Sequence, residues 1–341
     1  MIVGIPRTLG YYDYWPLWKT FFSELGVSIR LSRKTTKQMV DFGTKNATDG
    51  TCLPVKVCYG HVADLIAQGV DYVFLPRLIS VDPREYICPK FMGLPDLQNN
   101  MFPQVKFLDP IVDVKQGISF SKALYSVGRK LGKGRRQIRI STTSAIKAQE
   151  GYEKATDLGV NPRDALQMWE NGKTTLFLEE LEELAHGSLD VLGDLAPVKE
   201  QTQDLVVGVL GHSYLLYDDY LSMNVIGRLQ KMGVTVWTTD MLPKNTLDDL
   251  AHLWIKPVFW TSAKRNMGAS RYYAQAKFDG VIYLSAFPCG TDSMTITLME
   301  EAVRGAGCPF MILTVDEHTG EAGMLTRLEA FIDMIRWRVR R

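Results

Sequence analysis

Residues 2–32 read IVGIPRTLGYYDYWPLWKTFFSELGVSIRLS, and residues 206–240 read VVGVLGHSYLLYDDYLSMNVIGRLQKMGVTVWTTD. Each stretch opens on a β-branched run ending near a glycine, then an aromatic turn with Tyr and Asp. An amphipathic helical pattern follows, closed by Leu-Gly-Val or Met-Gly-Val and a second strand-like run. Gly26 and Gly233 stand where a helix C-cap belongs. This is a β-α-β opening, used twice in one chain.

The likeness continues downstream. VDYVFLPRLIS (70–80) and FDGVIYLSAFPCG (278–290) are apolar strands that run into loops, followed by Cys88 and ending near Cys289 respectively. VKFLDP (105–110) corresponds to PFMILTVDEHTG (309–320). Short, nearly continuous apolar strands alternating with helices indicate parallel sheets covered on both faces. The expected fold is therefore α/β: two Rossmann-like, doubly wound parallel-sheet domains related by duplication. Residues 1–137 form the first and 201–341 the second, facing each other across an interdomain cleft. Residues 138–200 read as a helical connector that includes the acidic amphipathic segment FLEELEELAHG (177–187).

Charge excludes several functions. Lys plus Arg (39) nearly equals Asp plus Glu (38), so no strong field draws nucleic acid or an anionic membrane. The basic cluster Arg129, Lys130, Lys133, Arg135, Arg136 and Arg139 reads as a solvated helix end, as does the Arg-rich tail. No apolar run approaches membrane-spanning length, and the start MIVGIPRTLG lacks a basic leader, so a cytoplasmic protein is expected. Neither first turn carries a dinucleotide or nucleotide phosphate-loop pattern.

In that compartment five cysteines, an odd number, argue against a disulfide frame. Ligands of open α/β sheets bind beyond the carboxyl ends of the strands. Cys88 and Cys289 fall in equivalent loops there. Cys52, in ATDGTCLPVKVCYGH (47–61), precedes a helix with Pro54 in its first turn, where unpaired N–H groups favour a thiolate. Cys58 lies about 240° round that helix and reads as a packing thiol, and His61 as a hydrogen-bonded packing histidine. Cys308 sits at the start of a strand and reads as structural. Three thiolates with one open position suit a site-differentiated [4Fe–4S] cluster; zinc remains an alternative without a motif behind it.

Residues around these thiols are secondary candidates. Thr51 and Asp49 flank Cys52, and Lys56 lies one helical turn in. Arg77 and Lys90 flank the Cys88 loop. Thr291, Asp292 and Ser293 read as the cap of the helix after Cys289. Tyr11, Tyr12, Tyr14, His212, Tyr214, Glu317, His318 and Glu321 fall near strand ends.

ATDGTCLPVK, EYICPKFMGLP, AFPCGTDSM and TVDEHTGEAGMLTRLEAFIDMI resemble the 2-hydroxyacyl-CoA dehydratase D-component family, which includes benzoyl-CoA reductase subunits and double-cubane cluster proteins. The likeness is nearest to the activase-related "CoA protein activase" branch and is weak over 138–199. The resemblance implies a [4Fe–4S] cluster held by Cys52, Cys88 and Cys289, its fourth iron open. An ATP-dependent activator would supply a low-potential electron to reduce or dehydrate a small substrate of the acyl-CoA kind. A homodimer is implied on the same ground. A double-cubane cluster needs roughly twice the cysteines, and the substrate does not carry over. A non-catalytic binding or scaffold protein is the alternative from a different class.

Overall fold

The computed structural model describes residues 1–171 and 205–340. It divides into two compact units, Met1–Glu153 with Phe259–Thr261, and Lys154–Val258 with Ser262–Arg341.

The first unit runs β1 (Ile2–Ile5), α1 (Tyr11–Glu24), β2 (Ser28–Leu31), α2 (Lys37–Asn46), α3 (Leu53–Ala67), β3 (Tyr72–Phe74), β4 (Arg77–Ser80), α4 (Pro89–Met101), β5 (Phe107–Leu108), β6 (Ile111–Asp113) and α5 (Phe120–Lys130). Helix α6 (Arg135–Asp157) carries the chain out of it. The second continues with α7 (Pro162–Glu170), β7 (Leu205–Gly211), α8 (Ser213–Leu216), α9 (Val225–Lys231), β8 (Val234–Thr238), α10 (Lys244–His252), α11 (Thr261–Gln275), β9 (Gly280–Ala286), α12 (Gly290–Gly305), β10 (Phe310–Val315) and α13 (Glu321–Val339). The acidic helix expected over 177–187 lies outside the described residues.

Both sheets are parallel and four-stranded, in the orders β2-β1-β3-β5 and β10-β9-β7-β8. Numbered within its own unit, each has the order 2-1-3-4. The duplication read from the paired openings is therefore a duplication of topology. Since crossovers between parallel strands are right-handed, a reversal of direction after the second strand puts helices on both faces.

Contacts show both faces in use. The Phe74 ring of β3 packs on Trp18 and Phe22 of α1. On the opposite face, a Cβ at Gly4 would lie 3.1 Å from the Leu65 side chain of α3. The same arrangement recurs at Gly208, where a Cβ would lie 2.3 Å from the ring of Tyr273 on α11. The glycine in each opening strand thus lets a crossover helix lie close to the sheet.

The run 70–80 is not one strand. It breaks at Leu75 and Pro76, and β4 pairs with β6 in a separate two-stranded sheet. The partner run breaks likewise before β6, at Asp109 and Pro110. Prolines at the two breaks supply no ladder donor. The Arg77 N–H instead donates to the Pro110 carbonyl at 2.9 Å, restarting the pairing. Among the described residues no helix is long and apolar enough to cross a membrane.

Candidate functional site

In a parallel sheet, each crossover helix begins at the carboxyl end of the strands. Helices α3, α4 and α12 all begin there within their own units. The N-cap of α3 is Cys52, that of α4 is Cys88, and that of α12 is Cys289. None of the three is in a disulfide, and none uses its side chain to cap the helix. Cys52 is buried, while Cys88 and Cys289 are partly exposed. Pro54 and Pro89 occupy the first turns of α3 and α4, where a missing N–H costs nothing.

Within the first unit one hydrogen bond joins two of these turns. Lys90, two residues past Cys88, donates to the carbonyl of Gly50, two residues before Cys52, at 2.8 Å. Thr51 is buried, its hydroxyl 3.0 Å from that of Thr48. Lys56 is half-buried in the first turn of α3. Arg77 is in an ion pair: its guanidinium grips the Asp96 carboxylate through two bonds, 2.8 and 2.6 Å.

Cys58 is fully buried, and burial pushes its thiol up to about 12, so it stays protonated. His61 is buried between Ser32, 2.8 Å from Nδ1, and Thr35, 3.0 Å from Nε2. Cys308 packs at the opposite end of its sheet, its thiol donating to the Phe278 carbonyl at 3.2 Å. These three fill the packing roles expected of them. Tyr11 and Tyr12 are buried in a ring cluster with Trp15, and Glu321 pairs with Arg228.

The second unit brings together three candidate residues, His212, Cys289 and Asp292, whose grouping the sequence did not reveal. His212 leaves the end of β7, and Cys289 follows the adjacent β9. His212 Nε2 lies 2.9 Å from Asp292 Oδ1 and 3.6 Å from Cys289 Sγ. Asp292 Oδ1 also accepts from the Tyr283 hydroxyl at 2.9 Å, and Oδ2 from Ser285 at 2.7 Å. Thr291 Oγ1 lies 3.3 Å from Cys289 Sγ. Behind this group, Asn266 accepts from the Gly211 N–H and donates to its carbonyl, at 3.3 and 3.1 Å.

This corrects the reading of Asp292 as a helix cap. Helix α12 starts at Gly290 directly after Cys289, which leaves Asp292 in the first turn and aimed inward, 1% exposed. Burial alone drives a carboxyl up and an imidazole down. Here each partner overrules it: the Asp292 charge holds His212 well above its ordinary value, and His212 with the Ser285 and Tyr283 donors holds Asp292 below the usual carboxylate range. The result is a buried ion pair. The signal available in sequence was a histidine following the strand glycine in the second opening; nothing there pointed to residue 292 as its partner.

The corresponding place in the first unit has another character. Between the ends of β1 and β3 the crevice is filled by Ile5, Leu9, Phe74 and Phe91, leaving a cavity of ≈ 20 Å³. That is room for about one water molecule.

A family model described as the CoA enzyme activase uncharacterised domain matches residues 2–242, more than half of the chain. The chain belongs to that family. A second model, the D-component of 2-hydroxyglutaryl-CoA dehydratase, matches residues 222–335. The expected family resemblance is thus met over nearly the whole length. Cys52, Cys88 and His212 fall within the first match, and Cys289 and Asp292 within the second. No curated protein matches the chain.

Proposed function

We propose that this chain is an iron–sulfur protein in which Cys52, Cys88 and Cys289 hold a [4Fe–4S] cluster with one iron open. It would take low-potential electrons from an ATP-dependent activator and reduce or dehydrate a small substrate of the acyl-CoA kind. One observation carries the reading. Of the five cysteines, the three with a matching family motif are the three at helix N-caps, and each lies at the carboxyl end of its sheet.

The donor set fits the group. All three are outside any disulfide and stand at helices of more than ten residues, whose N-terminal N–H groups favour the negative charge of a cluster. Of the remaining two, Cys58 is wholly buried within α3 and Cys308 is hydrogen-bonded at the other end of its sheet, so neither stands at a helix N-cap. When bound, the cluster would supply one-electron chemistry and an open coordination position. The chain's own part would be to fix the thiolates, offset their charge with helix N-termini and donate hydrogen bonds to them.

Anaerobic purification followed by iron and acid-labile sulfide analysis tests this. Four irons and four sulfides per chain are expected for one cubane. Alanine at Cys52, Cys88 or Cys289 should cut the iron content sharply, and alanine at Cys58 or Cys308 should not. Unchanged iron in all three of the former variants would falsify the assignment, and zinc without sulfide would replace the cluster by a thiolate zinc site.

A further inference from the structure

The three-residue group Cys289, His212 and Asp292 admits three chemical readings, and the distances choose among them. A nucleophilic triad places the carboxylate on one imidazole nitrogen and the nucleophile on the other. Here both approach Nε2, at 2.9 and 3.6 Å, and Nδ1 has no hydrogen-bond partner. That arrangement does not make His212 the base of a Cys289 nucleophile. A tetrahedral zinc ion with ligand bonds of about 2.0–2.1 Å sets its nitrogen and oxygen ligands about 3.3 Å apart. The His212 to Asp292 separation, 2.9 Å, is a hydrogen bond instead. Asp292 is moreover occupied by Tyr283 and Ser285.

What remains is a shared donor: the single Nε2 hydrogen lies between Asp292 Oδ1 at 2.9 Å and, as the longer branch, Cys289 Sγ at 3.6 Å. The His212 ring is held flat against Tyr214, centroids 5.0 Å apart and planes 8° apart. Its Nε2 edge is aimed by a carboxylate that is itself held by two hydroxyls. Residues 212 and 289 meet because β7 and β9 are neighbours, with Gly211 opposite Leu284. We propose that His212, aimed by Asp292, is a positioning residue that hydrogen-bonds the Cys289 sulfur and thereby tunes the cluster which that thiolate helps to hold. The electrochemical part rests on the cluster reading; the pairing with the sulfur does not.

Hydrogen bonds to a ligand sulfur raise a cluster's reduction potential. The test compares wild type with His212→Leu, His212→Gln and Asp292→Asn, each checked for a native urea transition. In the loaded protein, a redox titration followed by electron paramagnetic resonance gives the midpoint. It should move to a more negative value in H212L and return toward wild type in H212Q, whose amide restores an N–H donor. In the metal-free protein, alkylation of Cys289 by iodoacetamide at pH 7 is followed by mass spectrometry. The His212 N–H held against the sulfur stabilises negative charge developing there, so H212L should react about tenfold more slowly.

Wild-type iron content with a wild-type midpoint in H212L overturns the proposal. Should leucine prevent folding, D292N, which keeps the shape and removes the charge that aims the ring, carries the same comparison. If wild type binds no iron, the cluster reading falls and the alkylation rates decide the pairing. An unchanged rate then overturns it, and a tenfold loss sustains it.

Discussion

Lys90 Nζ lies 2.8 Å from the Gly50 carbonyl oxygen, and this bond joins the turn before Cys52 to the first turn of the helix that Cys88 caps. The bond is exposed, so its contribution to global stability is small, below about 1 kcal/mol. Its effect should be local. Lys90→Met should raise the alkylation rate of Cys52, 7% exposed, severalfold in the metal-free protein while leaving the urea midpoint nearly unmoved. An unchanged Cys52 rate would show that Thr48 and Thr51 hold that turn without Lys90.

His61 gives a pH dependence. Burial, opposed by the Asp64 charge and reinforced by Arg7, lowers it from 6.5 to about 3. Between those values the unfolded chain binds the proton and the folded chain does not, so stability rises with pH there and is lost as pH falls below 6.5. The slope reaches ~1.4 kcal/mol per pH unit. His61→Asn lacks this proton linkage. The stability advantage of wild type over H61N, from urea unfolding, should shrink by about 2 kcal/mol between pH 7 and pH 5. A constant difference would mean that His61 takes up its proton as readily in the folded protein as in the unfolded chain.

Helices α2 and α3 approach through glycines, and this seats the Cys52 end of α3. A Cβ at Gly43 would lie 1.9 Å from the Lys56 carbonyl oxygen, and one at Gly60 would lie 2.4 Å from that of Met39. Both obstacles are backbone, so the helices must separate. Alanine at either should cost about 1–3 kcal/mol or more. Gly93 in α4 meets nothing within 4 Å, and Gly93→Ala should stabilise by ~0.5–1 kcal/mol. Urea midpoints of the three variants should therefore fall on opposite sides of wild type.

Asn266 is wholly buried and satisfies both backbone groups of Gly211 while accepting from Thr239 at 2.7 Å. Asn266→Ala leaves those buried groups unpaired, at roughly 1–3 kcal/mol each, so a loss on the order of 2–4 kcal/mol is expected. Since Gly211 precedes His212, the variant should also slow Cys289 alkylation. A destabilised variant with wild-type alkylation would separate the Asn266 bonds from the placement of the histidine.

The two openings made the topology legible because strand, turn, helix and glycine cap recur in the same order, and local patterns suffice for that. The cap positions of Cys52 and Cys88 were legible for the same reason: a proline in a helix's first turn marks its start. The His212 group was not legible. Its members are 77 residues apart or more distant in role than in sequence, and only the adjacency of β7 and β9 joins them. An aspartate in a helix's first turn reads as a cap whether it faces solvent or the core, so Asp292 was misread. The break of 70–80 into two strands was marked by Pro76, but its apolar flanks outweighed one missing donor.

Cysteine at an N-cap has a further meaning. Serine or aspartate there would accept a backbone N–H and stabilise its helix by ~1 kcal/mol, and at none of the three caps does the thiol do so. The metal-free chain should therefore gain stability from Cys52→Ser, Cys88→Ser or Cys289→Ser, the positions proposed above to hold the cluster. A gain at all three would mean a fold left below its own optimum there, a trade of firmness for reactivity. That trade can be measured with no substrate in hand.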